Sequence, residues 1–371
     1  MDTSKFDGEA PHQPSPIRVL VIDALAVMRD LLSTIIDRDD DMEVAGRVES
    51  GADAMAEIDR LHPDIITLGD DLSDVEPLSL LRAIAERHPD LPVIMISTAD
   101  ERGAARTLEA LAAGAADHIT RPPDMTSARR TVETVQASLL PRIKAICGRL
   151  ADDETPASGT SRSAAGTRRP RMRRLDIVAI GASTGGPNAL TALLGALPAD
   201  FSRPIVITQH MPPVFTRYLA QRLGDISELD VREARHGDLV EAGVVLLAPG
   251  DVHLTFERTS HGVAAVLDHS TPVQFNRPSI DVMLRSIASV YGGHALAVVL
   301  TGMGHDGLDG CAAVKAEGAV VLVQDQASSV VWGMPGAIHG AGLADLVVPI
   351  GQMASAIMRA VRHPRVDARR T

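Results

Sequence analysis

The stretch LDIVAIGASTGGPNALTALLGAL, from Leu175 to Leu197, decides the fold of the second half of this chain. Residues 175–180 are mostly apolar and rich in β-branched side chains, which is typical of a buried parallel strand. Glycines then allow a sharp turn, and Pro187 suits the first turn of a helix, where its missing N–H needs no partner. Leucines at i, i+3, i+4 and i+7 follow and form one apolar helix face. The stretch therefore predicts a strand, a tight turn and a helix.

Ser183 lies at the tip of this predicted turn. A hydroxyl there faces the unpaired N–H groups of a helix N-terminus, which can stabilise an anion or a developing oxyanion. The segment Gly181–Gly185 also fits the G-x-S-x-G pattern of a nucleophilic serine between a strand and a helix. A glycine-rich phosphate or nucleotide loop, or a plain tight turn, explains the same residues equally well. Ser183 is therefore a candidate nucleophile that needs partners elsewhere in the chain.

A histidine and an aspartate follow two further apolar strands of the second half. His210 comes directly after the run at 204–209, and Asp306 lies in the glycine-rich segment after the run at 295–300. Because the carboxyl ends of parallel strands meet at one edge of a sheet, we expect these side chains to lie near Ser183. A histidine can take the proton of a serine hydroxyl, and a carboxylate can orient the imidazole. The sequence therefore predicts a catalytic triad.

Three residues compete with Asp306 for the third position of the triad. His305 stands beside it, and Asp251 and Asp325 also follow predicted strands. Asp306 is favoured because its flanking glycines allow close approach of the backbone. The chain order Ser, His, Asp differs from the Ser, Asp, His order of α/β-hydrolases, so we expect triad chemistry on a different fold.

The composition predicts a globular protein with two domains. Hydrophobic residues make up 45% of the 371 residues, which is enough for two cores. The aromatic content of 2% and the net charge of −12 argue against nucleic-acid binding. The N-terminus lacks an apolar signal core and no transmembrane-length apolar run occurs, so we expect a soluble, cytoplasmic protein without membrane insertion. Cysteine and histidine spacings do not match a metal site, so we expect neither a metal nor another cofactor.

Strand and helix patterns alternate through residues 16–148, which predicts a doubly wound domain with a five-stranded parallel sheet. Its predicted strands are 17–22, 42–48, 64–68, 92–97 and 116–119. Residues 149–174 predict a flexible, Arg-rich linker, whose arginines serve either to dock an acidic surface or only as solvated side chains. Residues 175–363 predict an α/β domain with a mostly parallel sheet and an antiparallel hairpin of strands 252–257 and 263–268.

The first domain resembles a response-regulator receiver in four segments: IRVLVIDALAVMRDLLSTII, HPDIITLGDDL, LPVIMISTAD and LAAGAADHITRPPD. The resemblance implies a phosphorylated aspartate after the third strand, a Mg²⁺ held by acidic residues after the first strand, and a lysine that pairs with the phosphoryl group. In this sequence Gly69 occupies the acceptor position, and Arg121 replaces the lysine. Ala24 replaces one acidic residue beside Asp23, while the hydroxyl position is retained as Ser97. We therefore predict a pseudo-receiver with no phosphoacceptor and weak binding of hard cations.

Asp70 directly follows the vacant acceptor position at Gly69. Successive strand residues point to opposite faces of a sheet, so we do not expect Asp70 to replace the missing aspartate. Only a local slip or bulge of the strand would bring its carboxylate into that position.

The second domain contains, in order, the segments GASTGGPNAL, TQHMPPVFT, LLAPGDVHL, NRPSIDVML, VVLTGMGHDGLDG and SSVVWGMPGAI. In these segments it resembles the chemotaxis receptor methylesterase, also called protein-glutamate methylesterase. The resemblance covers nearly the whole chain, because that enzyme also carries an N-terminal receiver. It implies Ser183 as the nucleophile, His210 as the base and Asp306 as the residue that orients the base. We expect the backbone N–H groups of Thr184 and Met303 to stabilise the oxyanion.

The resemblance also implies a reaction and its partners. The reaction is hydrolysis of glutamate γ-methyl esters on the cytoplasmic helices of methyl-accepting chemoreceptors, and family members often also deamidate receptor glutamines. A histidine kinase or a chemosensory scaffold is implied as the partner of the receiver-like domain. In the family, phosphorylation relieves partial covering of the active site by the receiver, so without an acceptor we expect activity that phosphorylation does not control. The alternative is a non-catalytic chemosensory scaffold whose Ser183 turn binds an anion.

Overall fold

The computed structural model describes residues 15–121, 128–148 and 174–362. The predicted linker lies outside these ranges except for its last residue, so both interpretations of it stay predictions. Within the described ranges, no helix is both long enough and apolar enough to cross a membrane.

The first domain contains the predicted five-stranded parallel sheet. Its strands are β1 (Ile17–Ile22), β2 (Met42–Val48), β3 (Ile65–Gly69), β4 (Val93–Ser97) and β5 (Asp117–Thr120), in the order β2-β1-β3-β4-β5. Its helices are α1 (Ala26–Ile36), α2 (Gly51–Leu61), α3 (Pro77–Arg87), α4 (Glu101–Ala112) and α5 (Ala128–Ile146). Helices α1 and α5 pack on one set of strand residues, and α2, α3 and α4 pack on the alternate set. The doubly wound fold is therefore confirmed.

The second domain contains a seven-stranded sheet and a separate two-stranded hairpin. Its strands are β6 (Ile177–Ala182), β7 (Ile205–Gln209), β8 (Asp230–Glu233), β9 (Val244–Leu247), β10 (His253–Thr259), β11 (Gly262–Asp268), β12 (Ala295–Val299), β13 (Val320–Gln324) and β14 (Leu346–Val348). Its helices are α6 (Gly186–Leu194), α7 (Phe215–Ile226), α8 (Ile280–Tyr291), α9 (Leu308–Ala316), α10 (Gly333–Gly340) and α11 (Ile350–Arg362). The sheet order is β14-β13-β12-β6-β7-β9-β8, with parallel pairing between neighbours.

The hairpin of β10 and β11 is confirmed, but its turn is shorter than predicted. Thr259 pairs with Gly262, so Ser260 and His261 alone form the connection. Strand pairing thus extends through residues whose polar side chains looked like turn signals in the sequence. Ladder hydrogen bonds outweigh the weak local preference of such residues for a loop.

The strand order β12-β6-β7 determines where the predicted active site lies. Strand β6 lies at the centre, and the chain leaves it on both sides, to β7 on one and eventually to β12 on the other. Crevices in open α/β sheets form at the carboxyl ends of strands where the strand order reverses in this way. Ser183, His210 and Thr301 follow closely after the ends of these three neighbouring strands.

The two domains are in contact. One hydrophobic cluster contains residues of both domains, including Leu108 and Leu111 of the first and Leu190 and Phe215 of the second. The ring of His118 stacks on Phe215 with 5.0 Å between centroids. The first domain thereby packs beside helices α6 and α7, which begin close to the predicted active site.

Candidate active site

Ser183 directly follows β6, and backbone hydrogen bonds hold it on both sides. Its N–H donates to the Thr301 carbonyl at 3.0 Å. Its own carbonyl accepts from the N–H of Gly186 at 2.7 Å and from Nε2 of Gln209 at 2.9 Å. Gly185 has φ of +76°, which few residues with a Cβ adopt. The predicted strand, turn and helix are confirmed, and their geometry fixes the serine between two neighbouring loops.

His210 and Asp306 lie in contact at the same edge of the sheet. The N–H of His210 donates to the Ala182 carbonyl at 3.1 Å, which ties the end of β7 to the end of β6. The Nε2 atom of His210 lies 2.8 Å from Oδ2 of Asp306, although 96 positions separate the two residues. The carboxyl ends of the parallel strands thus converge as predicted, and His210 meets the favoured carboxylate.

Asp306 is buried and receives four hydrogen bonds. Oδ2 accepts from Nε2 of His210 and from the N–H of Ile280, both at 2.8 Å. Oδ1 accepts from the hydroxyl of Ser279 at 2.9 Å and from the N–H of Asp281 at 3.0 Å. Burial raises the pKa of Asp306, but the His210 ring and the N–H groups at the start of α8 outweigh it and hold the pKa below its usual range. The carboxylate is therefore ionised at neutral pH.

The ionised carboxylate decides which nitrogen of His210 carries the proton. A carboxylate only accepts hydrogen bonds, so we assign the proton to Nε2. In the neutral imidazole the lone pair then lies on Nδ1, which is the nitrogen that can act as a base. In the described part of the chain no hydrogen bond joins the His210 ring to the Ser183 hydroxyl. Such bonds are often long before substrate binds, so the role of Ser183 stays a prediction.

The three alternatives to Asp306 lie elsewhere. Asp251 forms an ion pair with Arg277 at 2.6 Å. Asp325 accepts a hydrogen bond from the Ser328 hydroxyl at 2.5 Å. The side chain of His305 is exposed. Asp306 alone among these residues contacts the imidazole of the candidate base.

The predicted oxyanion donors lie on the loops that surround Ser183. A Cβ added to Gly302 would lie 2.8 Å from Cβ of Ser183, so the loop after β12 runs directly against the serine. Within the ranges that the structure describes, neither the N–H of Thr184 nor that of Met303 donates to another protein group. Unpaired donors on the loops beside Ser183 suit a developing negative charge.

Arg121 lies between the acidic residues of the receiver-like domain, at the place where receivers of the resembled family bind a metal and a phosphoryl group. Nη2 of Arg121 lies 3.0 Å from Oδ2 of Asp23 and 3.3 Å from Oδ1 of Asp70. A Cβ added to Gly69 would lie 2.7 Å from Oδ2 of Asp23, so a side chain at the acceptor position would enter this ion pair. No group of three or more His, Cys, Asp and Glu residues is placed to hold a metal in residues 15–121, 128–148 and 174–362.

The expectation that Asp70 lies on the opposite face is wrong in one respect. Strand β3 ends at Gly69, so strict alternation no longer governs Asp70. The Asp70 carboxylate reaches the same guanidinium as Asp23 and also accepts from the N–H of Thr98 at 3.2 Å. Asp70 therefore shares Arg121 with Asp23 and does not occupy the acceptor position.

Sequence reasoning missed two residues of the site. Ser279 and Gly302 lie in segments that carried the resemblance, but neither was assigned a role. The signal for Ser279 was a serine two residues before the predicted helix at 281–291, close to where an N-cap is expected. The signal for Gly302 was the glycine-rich segment after β12, which indicates close approach of backbone to another group.

The fold and the site define a class of protein. The chain combines a receiver-like domain with an α/β domain. In the α/β domain, a serine, a histidine and an aspartate lie on the loops that follow neighbouring parallel strands, which is an arrangement found in serine hydrolases.

Comparisons with known proteins give the family. Residues 178–357 match the CheB methylesterase family and residues 19–133 the response regulator receiver domain. A protein-glutamate methylesterase/protein-glutamine glutaminase of Trichodesmium erythraeum is 42% identical over 93% of this chain and 99% of its own length. One of Thermotoga maritima is 40% identical over 90% of this chain and 95% of its own length. The crystal structure of the Thermotoga maritima CheB methylesterase catalytic domain is 42% identical, with a TM-score of 0.50, covering 50% of this chain and 99% of that one. The chain belongs to the family of protein-glutamate methylesterases/protein-glutamine glutaminases.

Proposed function

We propose that this protein hydrolyses glutamate γ-methyl esters on the cytoplasmic helices of chemoreceptors, releasing methanol, and that the same site deamidates receptor glutamines. The observation that carries the proposal is the 2.8 Å contact between Nε2 of His210 and the buried carboxylate of Asp306, at the strand ends beside Ser183. It supports an imidazole that the carboxylate orients through Nε2, in a chain of the methylesterase family. The proposed place of action is the cytoplasm, where those receptor helices lie.

The proposed reaction begins with attack of the Ser183 hydroxyl oxygen on the ester carbonyl carbon. Nδ1 of His210 takes the hydroxyl proton, and the Asp306 carboxylate stabilises the imidazolium that forms. The carbonyl oxygen becomes an oxyanion, which the N–H groups of Thr184 and Met303 stabilise. The C–O bond to the methoxy group then breaks, and methanol leaves with the proton from the imidazolium. A glutamyl ester of the serine remains.

Water completes the reaction by the same route. Nδ1 of His210 takes a proton from water, whose oxygen attacks the glutamyl ester carbonyl. The bond to Ser183 breaks, and the serine oxygen takes the proton held by His210. The product leaves as a glutamic acid side chain, which gives its remaining proton to the solvent. Deamidation differs only in the leaving group, because ammonia departs where methanol would. One set of oxyanion donors therefore serves both substrates.

Partners of the receiver-like domain follow from the same assignment. A histidine kinase or a chemosensory scaffold is the proposed partner, because receiver folds serve as docking domains in such pathways. Arg121 already pairs with both Asp23 and Asp70, and Gly69 carries no carboxylate. Docking, rather than phosphoryl transfer, is therefore the proposed role of this domain.

The decisive experiment measures methanol release from methylated receptor cytoplasmic fragments. We expect Ser183→Ala to abolish release, because loss of a nucleophile lowers rates by many orders of magnitude, whereas loss of one oxyanion donor lowers them about 10²–10³-fold. Ser260→Ala, at the exposed hairpin turn, is the matched control and should leave the rate unchanged. Near-wild-type release by Ser183→Ala would show that the triad assignment is wrong. A wild-type chain that neither releases methanol nor reacts with a fluorophosphonate probe would instead be a non-catalytic scaffold.

A further inference from the structure

We propose that Ser279 is a positioning residue of the active site, whose hydroxyl holds the Asp306 carboxylate in the orientation that His210 needs. The inference rests on the proposed function, because it concerns the same triad. It adds a fourth member that does not itself touch the substrate.

The geometry of Ser279 supports this role. Its side chain is fully buried, and its hydroxyl donates to Oδ1 of Asp306 at 2.9 Å. The N–H groups of Ile280 and Asp281 then supply one hydrogen bond to each carboxylate oxygen. Without the hydroxyl, Oδ1 would keep one donor and Oδ2 would keep two. The Ser279 hydroxyl therefore gives each carboxylate oxygen two donors, and it opposes rotation of the carboxylate about the Cβ–Cγ bond.

Ser279 is itself held in place. Its N–H donates to Nδ1 of His253 at 3.1 Å, and Nε2 of His253 lies 3.2 Å from the carbonyl oxygen of Thr271. His253 is fully buried on strand β10. This second histidine accepts with Nδ1, so its proton lies on Nε2 and donates to Thr271. The chain of contacts gives the Ser279 backbone one position before substrate binds.

Ser279 also caps helix α8, and this second role must be separated from the first. Its hydroxyl oxygen accepts from the N–H of Val282, but at 3.5 Å, which is long for a hydrogen bond. Its φ of −115° and ψ of 138° are ordinary extended backbone. Glycine is nearly as good an N-cap as serine, whereas alanine is poor. Ser279→Gly therefore removes the hydroxyl with little loss of capping, and Ser279→Ala removes both.

The test compares these variants of the full chain with Ser279→Thr, which keeps a hydroxyl. Methanol release gives kcat and KM, and labelling by a fluorophosphonate probe reports activation of Ser183 without the receptor substrate. We expect both Ser279→Gly and Ser279→Ala to lower kcat on the order of 10–100-fold with KM nearly unchanged, because a hydrogen bond to a charged group is lost. Probe labelling should slow by a similar factor, and Ser279→Thr should restore most of the rate. Ser50→Gly is the matched control, because Ser50 caps α2 in the first domain and should affect stability alone.

The outcomes separate this inference from the proposed function. Wild-type kcat and labelling in Ser279→Gly would overturn the positioning role, whatever happens in Ser279→Ala. A loss in Ser279→Ala that follows only a lowered melting temperature would likewise assign the residue to capping. If the wild type labels with the probe but releases no methanol, the proposed substrate is wrong, and the labelling rates of the variants still test the positioning role. If the wild type does neither, both proposals fail.

Discussion

The carboxylate of Asp117, in the first domain, accepts a 2.7 Å hydrogen bond from the hydroxyl of Thr184, the residue that follows Ser183. The same Oδ2 lies 3.0 Å from Nε of Arg142. Burial raises the pKa of Asp117, but the neighbouring His118, Arg142 and Thr184 outweigh it and hold the pKa at about 2. The carboxylate is thus ionised throughout the neutral range. The receiver-like domain thereby holds the backbone segment that contains the proposed nucleophile.

This contact bears on access to the active site. An open groove of about 410 Å³ lies mainly on the first domain, where Asp64 and Asp90 line it, and Val330 of the second domain lies at its edge. Val330 packs against the turn at Gly185, beside the serine. The hydrogen bond from Thr184 to Asp117 lies beside Ser183 and opposes separation of the domains at this point.

The first prediction concerns the hydroxyl of Thr184. Thr184→Val keeps the shape of the side chain and the backbone N–H but removes the hydrogen bond to Asp117. We expect kcat/KM for methylated receptor fragments to rise, by up to about 10-fold, because a bond to a charged group that opposes domain separation is lost. Thr191→Val is the matched control, since its hydroxyl donates to the Pro187 carbonyl within the second domain. An unchanged kcat/KM in Thr184→Val would show that this contact does not limit access.

The second prediction concerns phosphorylation of the receiver-like domain. Incubation with acetyl phosphate and Mg²⁺ should leave the intact mass unchanged, because Gly69 offers no carboxylate and Arg121 already pairs with Asp23 and Asp70. Intact-protein mass spectrometry measures this directly. A receiver with its acceptor aspartate, treated in parallel, shows that the reagent is active. A stable gain of one phosphoryl group that maps to Asp70 or Asp71 would contradict the pseudo-receiver assignment.

Local patterns were sufficient to predict the five-stranded sheet of the first domain and, in the second domain, the hairpin and the three strands that lead to the site. The apolar run before Ser183 and the leucines after it define strand β6 and helix α6 without reference to the rest of the chain. The rule that parallel strands share a carboxyl edge then predicted that His210 and Asp306 approach each other. Both steps depend on short periodic signals, which a single sequence contains.

Contacts between distant side chains could not be predicted in the same way. Asp117 and Thr184 are 67 positions apart, and no periodicity indicates that one domain places a carboxylate on the other. Three of the four hydrogen bonds of Asp306 depend on the start of α8 packing against the loop after β12. The alternation of side chains along a strand did not predict the direction of Asp70, because strand β3 ends at the preceding residue, Gly69. Such features follow from tertiary geometry rather than from residue type.

Asp281 provides a pH-dependent test of the same packing. Its Oδ1 accepts from the N–H groups of Gly307 at 3.0 Å and Gly310 at 2.7 Å, which fixes the loop after Asp306 on helix α8. Nε2 of Gln274 donates to Oδ2 at 3.1 Å. The side chain is fully buried, and its burial and the nearby charge of Asp306 raise its pKa to about 6, although the bond from Gly310 lowers it.

The third prediction is therefore that the stability of the wild type falls relative to Asp281→Asn as the pH rises from about 4 to about 6. The unfolded chain has the ordinary pKa of 3.8 and the folded chain a pKa of about 6, so the folded state binds more protons in this window and loses stability as they dissociate. Asparagine imitates the protonated side chain and keeps the Oδ1 acceptor for Gly307 and Gly310, so the variant lacks this loss. We expect the difference in free energy of unfolding between the two proteins to change on the order of 1–3 kcal/mol across the window, measured by thermal or urea unfolding at pH 4, 5, 6 and 7. Parallel pH dependence of the two proteins would mean that Asp281 is ionised throughout, and that the loop after Asp306 is held by a carboxylate whose charge is fully compensated.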